Sequence, residues 1–587
     1  MNPRIQQRIA PQTELPDDLH PVLKRIYAAR GVQSPVELEL GLDRLLPFDQ
    51  LKGIDAAVDL LIASLRTQQK ILIVGDYDAD GATSTALFMR MLPCFGFERV
   101  GYLLPNRFEY GYGLSPEIVE VAKQQQPDLI ITVDNGIASI AGVAAAREAG
   151  IDVLITDHHL PGKQLPDANV IVNPNQPDDS FPSKMLAGVG VVFYILMALR
   201  KQLRDAGWFE AKNLPEPNLA GLLDIVALGT VADVVPLDHN NRILVEQGLR
   251  RMRAGKCQPG VLALIQQAGK DCAFLKASDL GFSIAPRLNA AGRLDDMSIG
   301  VECLLTDDPE RARQLAVELD RMNLQRRQIS QDMQAEADRM LEALALPDNT
   351  ENTLPNVYCL HQDHWHQGVV GILAGRIKDK MHRPVIIFAN TQDGNGTNAS
   401  QRGAEIKGSA RSIAGFHIRD ALDAVAGENP GLITKFGGHA MAAGLSICHA
   451  DLPIFTQKLN DYAGRVLSKD QLQETILTDG ELGSADLDES LAKALELAGP
   501  WGQGFAAPLF EGRFNVVQRR RIGADQRHLK LLLECGGTKI DAVAFSVPDT
   551  AWPPEREVVE IVYRLEMNRF RGEESLQLLV EHVLSEP

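Results

Sequence analysis

The chain has 587 residues, of which 45% are hydrophobic and 23% charged, an ordinary globular composition that excludes a disordered tail. Lys and Arg total 59 against 77 Asp and Glu, and the net charge of −18 argues against a general polyanion binder. It still permits a local basic groove in an acidic enzyme.

The seven cysteines are scattered and form no CxxC pair, so neither a zinc ribbon nor a disulfide framework is expected. The opening MNPRIQQRIAPQTELPDD has no apolar core of a secretory signal. The longest uncharged apolar run, Val189–Leu199, is far short of the roughly 20 residues that span a bilayer. The expectation is a reduced, cytoplasmic protein with no membrane association.

Residues 1–50 read as a helical N-terminal segment, with helical spacing of apolar residues over His20–Arg30 and again over Ile54–Arg66. Ile71–Val74 is a short, wholly apolar run, the mark of a strand buried on both faces of a parallel sheet. A loop from Gly75 to Gly81 and a helix over Ala82–Leu92 follow. The unit recurs at Leu129–Val133, which runs into Asp134-Asn135-Gly136, and at Val153–Thr156, which runs into Asp157-His158-His159. Strands alternating with helices predict a doubly wound α/β domain over 51–306.

Asp308-Pro309-Glu310 starts a helix, and apolar residues recur from Ala312 to Leu344 before Pro347, which predicts a long connecting helix over 307–346. A second α/β unit over 347–465 follows, with strands at Val357–Leu360 and Pro384–Ala389 flanking a helix near Gly368–Lys380. Short alternating segments at Phe514–Val517, His528–Glu534, Lys539–Phe545, Glu557–Glu566 and Leu576–Val583 predict a small antiparallel barrel within 466–587.

Chemistry concentrates in four segments. Asp76-Tyr77-Asp78-Ala79-Asp80-Gly81 sets three carboxylates at the end of a buried strand, where open α/β sheets bind ligands. Like charges so close call for a divalent cation. The run also resembles half an EF-hand loop, but its twelfth position is Leu87 rather than Glu. Asp134 stands at a second strand end and Asp157-His158-His159 at a third. Asp233 sits among Val231, Ala232, Val234 and Val235, where a carboxylate needs a partner. Oxygen-rich ligation with imidazole suits Mn²⁺ or Mg²⁺. More carboxylates than one ion needs suggest two ions and metal-assisted hydrolysis of a phosphoester or phosphoanhydride.

GDYDADG, TVDNG, TDHH and GTVAD resemble, in order, the four metal motifs of the DHH phosphoesterase superfamily. GVVGILAGR (368–376), GSARS (408–412) and FGGH (436–439) resemble its DHHA1 accessory domain. LPNRFEYGYG (104–113) and NAAGR (289–293) are similar to the branch that degrades single-stranded DNA from its 5′ end, and the barrel fits that branch's OB-fold.

The resemblance implies two α/β domains joined by the long helix around a central cleft, plus an OB-like barrel. It implies a 5′→3′ single-strand exodeoxyribonuclease acting in DNA repair and recombination with Mn²⁺ or Mg²⁺. Asp78, Asp80, Asp134, His158 and Asp233 would hold the metals, with Asp76 as ligand or outer support. Asp157 would orient His158, and His159 would face the scissile phosphate.

Arg107, Arg293, Ser409 and Arg411 would receive the strand's 5′ phosphate. Gly437 and Gly438 would let backbone approach an anion, His439 would donate to it, and Tyr112 would stack on a base. Arg513, Arg519, Arg520, Arg521, Arg527 and Lys530 form a local basic cluster in the barrel, and Trp501 and Phe505 are candidates for stacking, hinge or core packing. The partners implied are single-stranded DNA, a single-strand-binding protein and a helicase, with the chain itself a monomer. Two other readings are a DHH hydrolase of short oligonucleotides, cyclic dinucleotides or pyrophosphate, and a non-catalytic DNA-binding scaffold.

Overall fold

A computed structural model describes residues 3–105, 113–344, 354–391, 405–523, 526–545, 552, 557–570 and 572–584. The chain forms two compact units, one of residues 7–323 and 478–587, the other of residues 1–6 and 324–477. The boundary falls inside one continuous helix.

The larger unit is built on a five-stranded sheet whose strands are all parallel, in the spatial order Val100–Leu103, Ile71–Gly75, Leu129–Val133, Asp152–Thr156, Val170–Val172. Ile71–Gly75 and Leu129–Val133 are buried along their whole length, as their uniform apolar sequences require. Val100–Leu103 and Val170–Val172 were not legible, being short and only partly buried. The first strand lies between the second and the third, so the order of the chain reverses between Ile71–Gly75 and Leu129–Val133. That is a topological switch point, where the crossing helices diverge and leave a crevice at the strands' carboxyl ends. Asp76 and Asp134 leave the two strands that flank it.

The sheet is backed by the helices Ala79–Phe95, Gly188–Asp205 and Leu223–Ala232. Gly188–Asp205 contains the longest apolar run and is buried along most of its length, a core helix. Among the described residues, no helix is long and apolar enough to cross a membrane.

Five strands, Phe510–Ile522, His528–Cys535, Thr538–Ala544, Val558–Phe570 and Glu573–Leu584, close a barrel in the same unit. All pairings are antiparallel except that of Thr538–Ala544 with Glu573–Leu584, which closes the barrel in parallel. The helix Pro21–Ala29 is tied to the segment leading into it. Arg30 and Asp479 form a forked ion pair with both side chains almost fully buried, and Tyr27 Oη donates to Ala498 O at 2.9 Å. Trp501 and Phe505 stack at 5.1 Å, Arg242 covers Phe505 at 4.2 Å, and Trp501 Nε1 donates to Leu495 O. Phe505 is buried and Trp501 is half-buried against the core, so both are engaged in packing within this unit.

The N-terminal segment is not wholly helical, since Arg4–Gln7 is a strand paired with Thr475–Thr478. The long helix runs Pro309–Leu344, 36 residues or about 54 Å, with Glu310 N–H capped by Asp308 Oδ1 at 2.9 Å.

The smaller unit holds a five-stranded sheet in the order Lys435–Gly438, Ala442–Cys448, Glu405–Arg411, Val385–Asn390, Tyr358–His361. Only the last pair is parallel. Its first three strands escaped the sequence reading because glycine, alanine and serine dilute their alternation.

Candidate metal centre

The first motif is half loop and half helix. Asp78 is the N-cap of Ala79–Phe95, and its Oδ1 accepts from Asp80 N at 2.9 Å and Gly81 N at 3.1 Å. The predicted loop up to Gly81 therefore ends three residues early, at Asp78, and Asp80 lies in the helix's first turn. Asp80 is buried and accepts at Oδ2 from Gly188 N at 2.6 Å and at Oδ1 from Val189 N at 2.9 Å. It thus anchors the N-terminus of Gly188–Asp205, where a negative charge is favourable. A Cβ on Gly188 would stand 2.8 Å from Asp134 Cβ and 3.1 Å from Asp80 Oδ2, so only glycine fits between these two carboxylates.

Asp134 is buried and holds the left-handed conformation, φ 60°, unusual for a residue with a Cβ and typical of strain at functional sites. Asn135 Nδ2 fixes the turn by donating to Val74 O at 3.1 Å and Val133 O at 2.9 Å, across the two strands of the switch point. Asp233 caps the C-terminus of Leu223–Ala232. His158 Nε2 points at all three neighbours, 3.0 Å from Asp134 Oδ1, 3.4 Å from Asp233 Oδ2 and 3.9 Å from Asp80 Oδ2.

Potential donor atoms converge within 4.8 Å of one another in three overlapping groups: Asp76, Asp78 and Asp134; Asp80, His158 and Asp233; and Asp134, His158 and His159. All seven predicted metal and catalytic residues thus come together.

Asp157 corrects one expectation. It does not bond the His158 ring. Its Oδ1 accepts from the backbone N–H of His158 at 2.7 Å and contacts His159 Nδ1 at 2.8 Å, while Oδ2 accepts from Ile137 N at 2.8 Å. His159, not His158, is the imidazole it orients.

The electrostatics fit a cation. Burial, then the charge of Asp78, pushes the Asp80 carboxyl up to about 7 against the backbone N–H groups of Val189 and Gly188. Burial, followed by the charges of Asp80 and Asp78, drives Asp134 and Asp233 well above the usual carboxylate range. Burial also opposes ionisation of Asp157, but the bond and charge of His159 outweigh it and hold the carboxyl low. For His159, burial favours the neutral ring, and the Asp157 bond with the charges of Asp157, Asp76 and Asp78 overrides it and raises the pKa. Buried carboxylates in overlapping groups, with an imidazole among them, form a donor set for hard divalent ions.

The NAAGR segment supports this centre from behind, for Asn289 Oδ1 accepts from Ala79 N at 2.8 Å and fixes the turn after Asp78. Sequence reasoning assigned the motif to substrate through Arg293, on the helix Ala285–Leu294, and missed the role of Asn289. Gly188 was missed too. The one available signal was a glycine opening a helix whose first twelve residues carry no charge.

In the smaller unit, Ser409 and Arg411 share a face of Glu405–Arg411, with Arg411 Nη1 donating to Ser409 Oγ at 3.2 Å. A Cβ on Gly371, in the first turn of Val370–Met381, would lie 3.0 Å from Arg411 Nη2 and from Ser409 Oγ. The helix N-terminus therefore approaches both groups, an arrangement that suits an anion. Gly437 pairs with Gly444, which pairs with Ser409 across three strands, and neither glycine has side-chain neighbours on its open side. Gly438 and His439 turn the hairpin, with His439 N donating to Ala442 O at 2.8 Å. Arg107 and Tyr112 lie outside the described residues. In the barrel, Arg519, Arg520 and Arg521 pair with Leu531, Lys530 and Leu529, and Lys530 is bound to Asp541 at 2.9 Å.

A carboxylate–imidazole centre at the switch point of a parallel sheet, with a barrel in the same unit, defines a metal-dependent phosphoester hydrolase. Three family descriptions match in order: "DHH family, N-terminal domain" at residues 70–230, "DHHA1 domain" at 354–465 and "RecJ OB domain" at 478–582. The chain is 53% identical, over 99% of each chain, to the single-stranded-DNA-specific exonuclease RecJ of Dickeya dadantii. It matches the crystal structure of Thermus thermophilus RecJ in complex with Mn²⁺ at a TM-score of 0.78 and 30% identity, covering 100% of this chain and 79% of that one. The Mg²⁺ complex of the same protein matches at 0.73 and 29% identity, covering 100% and 78%. The chain belongs to the RecJ family.

Proposed function

We propose that this chain is a single-strand-specific DNA exonuclease that hydrolyses phosphodiesters with Mn²⁺ or Mg²⁺, removing nucleotides from the 5′ end. The observation that carries the reading is the convergence of Asp76, Asp78, Asp80, Asp134, His158 and Asp233, with His159 beside them, at one switch point. It is joined by the full-length identity to a RecJ exonuclease and the likeness to its metal complexes.

Asp78, Asp80, Asp134, His158 and Asp233 hold the ions, with Asp76 completing the set. Bound divalent cations supply Lewis acidity and an activated water for in-line displacement at phosphorus. Asp157 keeps His159 Nδ1 engaged and so aims Nε2 outward, where a protonated ring can donate to a phosphate oxygen. Ser409, Arg411 and the N-terminus beside Gly371 receive a phosphate. Gly437 and Gly444 give a strand's backbone room to lie on the sheet. The single-strand-binding protein and helicase partners, and a monomeric state, belong to the same reading.

The test is a nuclease assay in Mn²⁺ on matched single-stranded and blunt duplex DNA labelled at either end, with Asp134→Ala as control. Short products from the single strand only, released first from the 5′ label and lost in the variant, are expected. Hydrolysis confined to pyrophosphate or dinucleotides, or DNA binding with no hydrolysis at all, would refute it.

A further inference from the structure

The smaller unit carries a second constellation that shares no residue with the metal centre. His361 ends the strand Tyr358–His361, Asp363 follows two residues later, and His449 opens the turn after Ala442–Cys448. One donor atom from each lies within 4.8 Å of the others, and the two imidazoles meet with ring centroids 4.8 Å apart.

Asn390 prepares the group. His361 Nε2 lies 3.0 Å from Asn390 Oδ1, and Asn390 Nδ2 donates to Asp363 O at 3.1 Å. An amide oxygen can only accept, so His361 Nε2 carries the proton and Nδ1 keeps its lone pair. A metal-binding histidine is ordinarily held in this way, its other nitrogen donating to a carbonyl-type oxygen.

We propose that His361, Asp363 and His449 form a second metal site, selective for a borderline transition-metal cation such as Zn²⁺ over Mg²⁺. Two imidazoles and one carboxylate suit Zn²⁺, whose bonds of about 2.0–2.1 Å require donors about 3.4 Å apart. Closing to that spacing is a modest movement for the exposed Asp363 and the turn bearing His449. Asp363 begins the loop that leads through His366 and Gly368 to the helix whose first turn meets Ser409 and Arg411. An ion here would fix that loop at its base.

The experiment is equilibrium dialysis of the full-length protein against Zn²⁺ in excess Mg²⁺, for wild type, His449→Ala and Asp363→Ala. Hydrogen exchange over residues 362–369 is followed in parallel. Wild type should bind one Zn²⁺ more than His449→Ala, Asp363→Ala should bind that ion at least tenfold more weakly, and Zn²⁺ should slow exchange in the loop of wild type alone. Should His449→Ala fail to fold, Asp363→Ala decides, because its side chain is exposed. Equal stoichiometry and affinity in wild type and variants, or no Zn²⁺ bound in the presence of Mg²⁺, would overturn the proposal.

Discussion

Gly188→Ala is the sharpest probe of the metal centre, because it adds one methyl group where the structure leaves no space. The new Cβ would lie 2.8 Å from Asp134 Cβ, about 0.6 Å inside the 3.4 Å at which ordinary contact begins, and 3.1 Å from Asp80 Oδ2. The helix can retreat only by lengthening the 2.6 Å bond from Gly188 N to Asp80 and the 2.9 Å bond from Val189 N. Otherwise Asp134 must move, and it already sits in a strained conformation. Overpacking of this kind costs about 1–3 kcal/mol. A displacement approaching 1 Å in a reacting constellation costs up to about 100-fold in rate.

The expected outcome is a kcat on single-stranded DNA that falls about 10–100-fold and a weaker apparent Mn²⁺ affinity, with the fold retained in urea denaturation. Gly221→Ala is the matched control. Nothing lies within 4 Å of its added methyl, so activity and stability should not move. Full activity and unchanged Mn²⁺ affinity in Gly188→Ala would refute the packing of these carboxylates on that helix.

Asp479→Ala strands the buried Arg30 guanidinium and should lower unfolding free energy by about 3–5 kcal/mol, read by chemical denaturation. Asn289→Ala leaves the Ala79 N–H without its 2.8 Å acceptor, so it should cost about 1–3 kcal/mol and weaken Mn²⁺ binding measured by calorimetry. The pH dependence of Asp157→Asn follows from opposite shifts. The raised His159 pKa stabilises the fold below its ordinary 6.5, an effect lost as pH rises through the folded value. The lowered Asp157 pKa stabilises it above 3.8, an effect lost as pH falls through the folded value. In metal-free protein the variant should therefore be more destabilised at about pH 5.5 than at about pH 8; an equal penalty at both would refute the pairing. Arg411→Lys replaces a planar fork with a point charge and should raise KM for a 5′-phosphorylated strand about 10-fold or more with little change in kcat.

The metal centre was legible because its chemistry is compressed into short strings at the ends of apolar strands. Ile71–Val74 followed by three alternating carboxylates announces both a buried strand and a charge that must be neutralised. The same compression hides what crosses between segments. That Asp80 is anchored by Gly188 and Val189, that Asn289 reaches Ala79, and that Asp157 serves His159 rather than its nearer neighbour are facts of tertiary geometry, not of spacing. Ser409 and Gly437 could be named from motifs. The strands that align them could not, since glycine and serine carry little of the apolar alternation by which strands are recognised.

The forked bond between Arg30 and Asp479 joins residues 449 positions apart. A ribosome adding about 5–20 residues per second needs roughly 20–90 s to travel that distance. During this interval Arg30 has no carboxylate to meet, while residues 324–477, forming nearly all of the smaller unit, have already been made. The larger unit is therefore completed only after the segment inserted in its sequence has been made, and a chain halted short of Asp479 leaves Arg30 without the carboxylate that it meets in the folded unit.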